Sequence, residues 1–215
     1  MKKRLYQSDV AGYFREHSSI FLFITVLFLM GVIFGAIVVN SMSFTQKEDL
    51  FYYLSQFFGQ MSDGKVAENS DLFMQSFLHN FKFIGLIWLL GISIIGLPII
   101  LILLFVKGMV VGFTVGFLVS QMGWSGFLLA FVSILPQNLI IIPMFIVMAS
   151  LSVIFSLRMI KKQFIKKFSE PIMPLFRGYI MAIITASLFI AAASSLEAYL
   201  SPWLMKTVID SISLN

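Results

Sequence analysis

Long uninterrupted apolar runs constrain the fold of this chain more than any other feature of its sequence. The run from Ile20 to Val39 contains no charged residue, and comparable runs recur farther along the chain. A helix of about 20 apolar residues crosses the hydrocarbon core of a bilayer. Only 12% of all residues are charged, whereas a soluble domain carries about 25%. We therefore predict an all-α, polytopic integral membrane protein built as a helical bundle.

We assign five segments, of which the third is short and the fourth long, to a single membrane domain that covers residues 1–215. The predicted transmembrane helices are 19–40, 83–106, 108–121, 125–157 and 179–200. The first run is longer than the apolar core of a signal peptide, so we expect it to remain as a span. The turn between the third and fourth spans has two possible positions, 121–126 and 136–138. We favour the first, because QMGWSG combines turn residues with an interfacial tryptophan; the fourth helix is then broken near Pro136.

Basic residues are unevenly distributed between the predicted loops. Most of the 15 lysines and arginines lie on the side of the N-terminus, in the loop 158–178 and, for Lys107, in a tight turn after the second span. Cytoplasmic loops retain such residues, so we expect a cytoplasmic N-terminus and, after five spans, an extracytoplasmic C-terminus. The net charge of +5 follows from this topology, and no nucleic-acid partner is expected.

The predicted extracytoplasmic loop, 41–82, contains an amphipathic helix. Thr45 and Glu48 have the spacing of a capping box, and apolar residues then recur at helical spacing until about Ser62. This apolar face is either a membrane-surface anchor or a docking surface for a partner protein, and both uses are compatible. Its residues are Leu50, Tyr53, Leu54, Phe57, Phe58 and Met61.

Glycines repeat every four residues in two of the predicted spans. They are Gly31 and Gly35 in the first span, and Gly108, Gly112 and Gly116 near the third. Small residues at this spacing let two helix backbones approach closely inside a membrane. The pattern predicts either packing between helices of one chain or the contact surface of a homodimer.

Pro136, Gln137 and Asn138 interrupt the most apolar part of the chain. A proline removes a backbone donor, and the two amides can satisfy the groups that it frees, so the triplet fits a self-contained helix break. Broken helices also line the binding sites of transporters. A structural break and a permeation path are therefore both open interpretations.

The predicted spans lack the side chains that intramembrane catalysis requires. The two histidines, His17 and His79, lie near span edges on opposite sides, and Glu197 lies at the outer end of the last span. The chain has no cysteine, and the pattern places no general base near a serine. We expect no enzymatic activity, no metal site and no cofactor.

Several stretches of the sequence together resemble the stage II sporulation protein M family of endospore-forming bacteria. They are EHSSIFLFITVLFLMGVIFGAIVVNS, the following QKEDL, and SILPQNLIIIP. In the wider family, Pro-His-Gly followed by a glutamate occupies the broken helix. Here Pro136 is retained, Gln137 and Asn138 replace His-Gly, and an isoleucine stands in place of the acid. This difference favours a structural role for the segment.

The resemblance implies a non-catalytic scaffold that acts in engulfment during sporulation. Such a protein would lie in the mother-cell membrane and at the sporulation septum, where it recruits two peptidoglycan hydrolases, stage II sporulation proteins D and P. Peptidoglycan remodelling then lets the mother-cell membrane migrate around the forespore. The alternative is a transporter or channel component that uses the broken helix around Pro136. Membrane lipid is the other expected contact.

Overall fold

The computed structural model describes residues 12, 14–62, 69–164, 172–205 and 207. Residues 12 and 14–16 are helical, and six longer α-helices and one π-helical turn follow them. They are α1 (Ser18–Ser41), α2 (Phe44–Ser62), α3 (Asn69–Gly91), α4 (Gly96–Ser133), α5 (Leu135–Phe164), α6 (Ile172–Ser195) and the π-helical turn Leu196–Leu200. The all-helical class predicted from the sequence is confirmed.

Four described helices are long and apolar enough to cross a membrane. These segments are Ser18–Ser41, Gly96–Ser133, Leu135–Lys161 and Phe176–Met205. The chain is therefore a multi-pass membrane protein. Helix α3 does not belong to this group, because charged and polar residues such as Asp71, His79 and Lys82 interrupt its apolar sequence.

The predicted second span, 83–106, is wrong as a single helix. Helix α3 ends at Gly91 and α4 begins at Gly96, so the segment bends back on itself. A Cβ atom at Gly96 would overlap the backbone of Leu90, so this close approach requires a glycine. Lys107 was predicted to lie in a turn, but it lies inside α4, and the turn is at 92–95.

Helix α4 reverses direction at Gly123, where the backbone adopts a φ of 56° and a ψ of −128°. Glycine adopts this positive φ at little cost, whereas other residues do not. The residues after it fold back on the same helix, since a Cβ at Gly126 would overlap the carbonyl of Leu118. Gly123 lies inside QMGWSG, the first of the two positions considered for this turn.

A second interruption separates α4 from α5 at Ile134. Pro136 is the second residue of α5, and the first turn of a helix tolerates proline because its backbone N–H groups have no partner within the helix. One helix therefore ends at Ser133 and the next begins at Leu135, so the Pro136–Asn138 triplet lies in the first turn of α5.

The N-terminus of α2 is capped by a different pair from the predicted Thr45 and Glu48. The Ser43 backbone N–H donates to Gln46 Oε1 at 3.0 Å, and the Gln46 N–H donates to Ser43 Oγ at 3.4 Å. This reciprocal pair is a capping box with glutamine in the third helical position. The helix therefore begins at Phe44 and ends at Ser62.

The core of the bundle is formed by α1, α3, α4, α5 and α6. Helix α5 is the most buried of the apolar helices and occupies the centre of the bundle. Core side chains from all five helices include Ile24, Phe28, Ile84, Ile87, Ile100, Leu104, Phe145, Met148 and Ile190. Helix α2 does not share in this extensive packing among the described helices.

Candidate functional site

The predicted glycine faces of α1 and α4 contact each other within one chain. The five residues are Gly31, Gly35, Gly108, Gly112 and Gly116. A Cβ atom at Gly112 would overlap the carbonyl of Val32, and one at Gly116 would lie 3.2 Å from Ala36 Cα. The two backbones are therefore in direct contact, and a homodimer that used this face would have to displace α1.

The contacts along this interface also give the relative direction of the two helices. Gly31 lies against Phe105 and Met109, whereas Gly35 lies against Met109 and Phe113. Residue numbers increase together on both sides, so α1 and α4 run parallel. A chain that crosses a membrane twice in the same direction must return once between these crossings.

A buried polar network connects α3 with the last helix. Ser76 Oγ donates a hydrogen bond to Glu197 Oε2 and lies 3.1 Å from Ser194 Oγ. Asn80 Nδ2 donates to the Ser76 carbonyl at 3.1 Å. Glu197 belongs to the π-helical turn Leu196–Leu200, and such turns inside helices are frequent at functional sites.

Lys107 brings a positive charge into the same bundle. Its Nζ lies 5.3 Å from the centroid of the Phe83 ring and 5.0 Å from that of Phe145. A desolvated cation–π contact is worth about 2 kcal/mol, whereas burial of an ion costs several kcal/mol. Glu197 lies close enough to interact electrostatically with Lys107. Lys107, which was predicted to lie in a turn, is therefore packed against aromatic rings inside the bundle.

The predicted helix-break residues lie at one edge of this network. Gln137 Oε1 accepts a hydrogen bond from Ser201 Oγ at 3.4 Å, which ties α5 to the residues just after Glu197. Asn138 Nδ2 donates to the Ile134 carbonyl at 2.8 Å. The same carbonyl also accepts the Asn138 backbone N–H at 3.3 Å, so the side chain of Asn138 adds a second bond to it.

A second polar cluster, which sequence reasoning missed, joins α3, α5 and α6. The Tyr179 hydroxyl donates to the Trp88 carbonyl at 2.8 Å and lies 2.7 Å from Ser152 Oγ. Trp88 Nε1 donates in return to the Tyr179 carbonyl at 3.2 Å. The only sequence signal for this cluster was the occurrence of a tryptophan and a tyrosine near predicted span ends.

The predicted partner surface on α2 is described in part. Tyr53 is 68% exposed, while Leu50 and Leu54 are half-buried. The side chains of Phe57, Phe58 and Met61 lie outside the described residues. Three further exposed aromatic residues that the prediction omitted, Phe44, Phe51 and Tyr52, also lie on α2.

The chemistry of the interior network is electrostatic. Ser76 does have a carboxylate within reach, contrary to the expectation from the sequence. The hydroxyl of Ser76 donates to this carboxylate, and such a bond links α3 to the last helix. Within the part of the chain that the structure describes, no three His, Cys, Asp or Glu side chains group as a metal site requires.

Comparison with known proteins gives a family for this arrangement. A family model described as Stage II sporulation protein M matches residues 24–202, from the first apolar helix to the end of the last one. No curated protein and no solved structure matches the chain.

Proposed function

The chain belongs to the stage II sporulation protein M family, and on that premise we propose that it is a membrane scaffold that recruits peptidoglycan hydrolases. Family membership implies a role in engulfment during sporulation. The proposed partners are stage II sporulation proteins D and P, and the proposed location is the mother-cell membrane and the sporulation septum. The protein's own contribution is to hold these enzymes in place, without catalysis.

The proposed topology has a cytoplasmic N-terminus and an extracytoplasmic C-terminus, with α3 as the second of five crossings. The parallel directions of α1 and α4 support it, because α3 lies between them in sequence and packs against α4, α5 and α6. Lys107 was one of the basic residues first used to assign the cytoplasmic side. Its position inside α4 removes it from that argument, and the basic residues of 158–178 remain.

The observation that carries the scaffold proposal is the exposed aromatic surface of α2. Phe44, Tyr52 and Tyr53 are 75%, 61% and 68% exposed. Clustered exposed apolar residues mark sites of protein or membrane contact. In the proposed topology this helix lies on the outer face of the membrane, where enzymes that act on peptidoglycan work.

Substitution of this surface tests the proposal. Tyr52→Asp combined with Tyr53→Asp should abolish co-purification of the two hydrolases from sporulating cells, while the amount of protein in the membrane stays unchanged. Ser55→Asp, which adds a charge at another exposed position of α2, is the matched control and should retain both partners. Retention of both hydrolases by the double variant would assign recruitment to another surface.

The interior polar network favours a second candidate function, a transporter or channel component. Intramembrane ionisable residues often mark transport paths, and Gln137 at the helix break accepts a hydrogen bond from Ser201, four residues after Glu197. Gln137→Leu combined with Asn138→Leu would block such a path. Normal engulfment in cells that carry this double variant would argue against transport and leave the scaffold as the better explanation.

A further inference from the structure

Helix α3 presents a polar stripe on the side that faces away from the bundle. Its residues are Asp71, Gln75, His79 and Lys82, all of which are exposed. Spacings of four, four and three residues place them along one face of a helix. Ser76 and Asn80 point to the opposite, buried side, so the polar stripe is separate from the interior network.

The packing of α3 places the end of this stripe near the middle of the bilayer. Phe83 follows Lys82 directly, and its ring centroid lies 5.0 Å from that of Phe145. Phe145 lies within one helical turn of the middle of the apolar segment Leu135–Lys161. Lys82 therefore projects outward at a depth where the surroundings of an isolated chain are hydrocarbon.

Neither lipid nor a second copy of the chain suits this stripe. A lysine that faces lipid near the centre of a helix is unfavourable, and such residues normally pair with another group in the membrane. In a symmetric dimer, a two-fold axis along the membrane normal would bring Lys82 of one copy to Lys82 of the other, since such interfaces pair identical surfaces. The two like charges would then repel each other.

We infer that this stripe is the docking site for a transmembrane helix of a partner protein that carries an acidic side chain at mid-membrane depth. The carboxylate would pair with Lys82, and hydrogen-bonding groups nearer the outer surface would meet His79 and Gln75. Polar contacts of this kind hold transmembrane helices together. The inference rests on the proposed crossing of α3, and it deepens the scaffold function by adding a contact inside the membrane.

A defined peptide tests the inference without any hydrolase. The probe is a polyleucine transmembrane peptide with one central glutamate, and a peptide with leucine at that position is its control. The full chain contains no cysteine, so Thr207→Cys gives a single site for a fluorophore. Energy transfer between this fluorophore and a labelled peptide is then measured in vesicles. We expect transfer with the glutamate peptide, none with the leucine peptide, and loss of transfer in Lys82→Leu.

Two variants make the charge requirement specific. Lys82→Glu should no longer bind the glutamate peptide and should instead bind a polyleucine peptide with a central lysine. The control is Leu86→Ala, at an exposed position one turn farther along α3, which should bind the glutamate peptide as the unmodified chain does. Binding that is unchanged by Lys82→Leu, or equal binding of both peptides, would overturn the inference. Energy transfer between labelled copies of the chain that Lys82→Leu abolishes would also overturn it, in favour of a second copy.

The thermal stability of the isolated chain gives an independent check. If Lys82 faces lipid when no partner is bound, Lys82→Leu should raise the unfolding temperature in vesicles. A lower unfolding temperature would show that Lys82 already has a partner within the chain and would reject the docking site. No hydrolase is present in these assays, so their outcomes are independent of the α2 experiment. The α2 surface can fail to recruit the hydrolases while the peptide still binds, and the peptide can fail to bind while recruitment by α2 is confirmed.

Discussion

The close contact between α1 and α4 allows a quantitative prediction from three Gly→Ala substitutions, two in α4 and one in α3. At Gly112 the added methyl group would overlap the Val32 carbonyl, and at Gly116 it would lie 3.2 Å from Ala36 Cα. At Gly85, in the middle of α3, no atom lies within 4 Å of the added carbon. The added methyl group therefore meets a severe steric clash at Gly112, a mild one at Gly116 and none at Gly85.

The expected free energies of unfolding follow from two opposing effects. Alanine stabilises a helix by about 1 kcal/mol relative to glycine, and this gain is similar at all three positions. Overpacking in a filled core costs about 1–3 kcal/mol, which applies fully at Gly112, partly at Gly116 and not at Gly85. Gly112→Ala should therefore be about 1–3 kcal/mol less stable than Gly85→Ala, with Gly116→Ala between them.

Unfolding by denaturing detergent in bicelles measures this order, and a native gel of Gly112→Leu gives the oligomeric state. Equal stability of Gly112→Ala and Gly85→Ala would refute the direct backbone contact between α1 and α4. A change in oligomeric state with no loss of stability would instead assign Gly112 to a contact between two chains.

Three further predictions concern the polar clusters. Ser76→Ala removes the donor to Glu197 and should lower the free energy of unfolding by about 1.5–3 kcal/mol, as measured by the same unfolding assay; no change would mean that the carboxylate is hydrated instead. Tyr179→Phe removes the hydroxyl bonds that join α3, α5 and α6 and should cost about 1–3 kcal/mol, visible as a lower detergent midpoint. Lys107→Met combined with Glu197→Gln should lower the free energy of unfolding by less than the sum of the two single changes, because each single change leaves one buried charge without its partner. If the effects of the two single changes simply add in this double-mutant cycle, the two groups do not interact.

The sequence predicted the features that depend on local composition. Apolar length identified a helical membrane protein, and glycine spacing identified surfaces suited to close helix packing, because lipid-embedded helices approach closely through small residues. It left open whether these surfaces meet within one chain or between two. The turn chemistry of QMGWSG pointed to the region where Gly123 reverses the chain. Each of these signals is carried by residues that are neighbours in sequence or along one helix.

The hairpin between α3 and α4 shows why hydropathy alone misplaced Lys107. The segment from Phe83 to Val106 is apolar on both sides of 92–95, so a hydropathy window passes over the turn without a signal. Gly91 and Gly96 mark it, but glycine is frequent inside transmembrane helices and is a weak indicator of a break there. The error in this one turn placed Lys107 at the membrane edge, whereas the structure has it inside α4.

The sequence by itself determined that this chain enters a membrane as a helical bundle, since the cost of burying unpaired backbone groups in lipid leaves few alternatives for long apolar runs. Only the tertiary structure decided which polar groups meet. Ser76 and Glu197 are far apart in sequence, and Lys107 faces rings from two other helices. Such contacts depend on the rotation and depth of each helix in the bundle, and packing between helices sets these quantities.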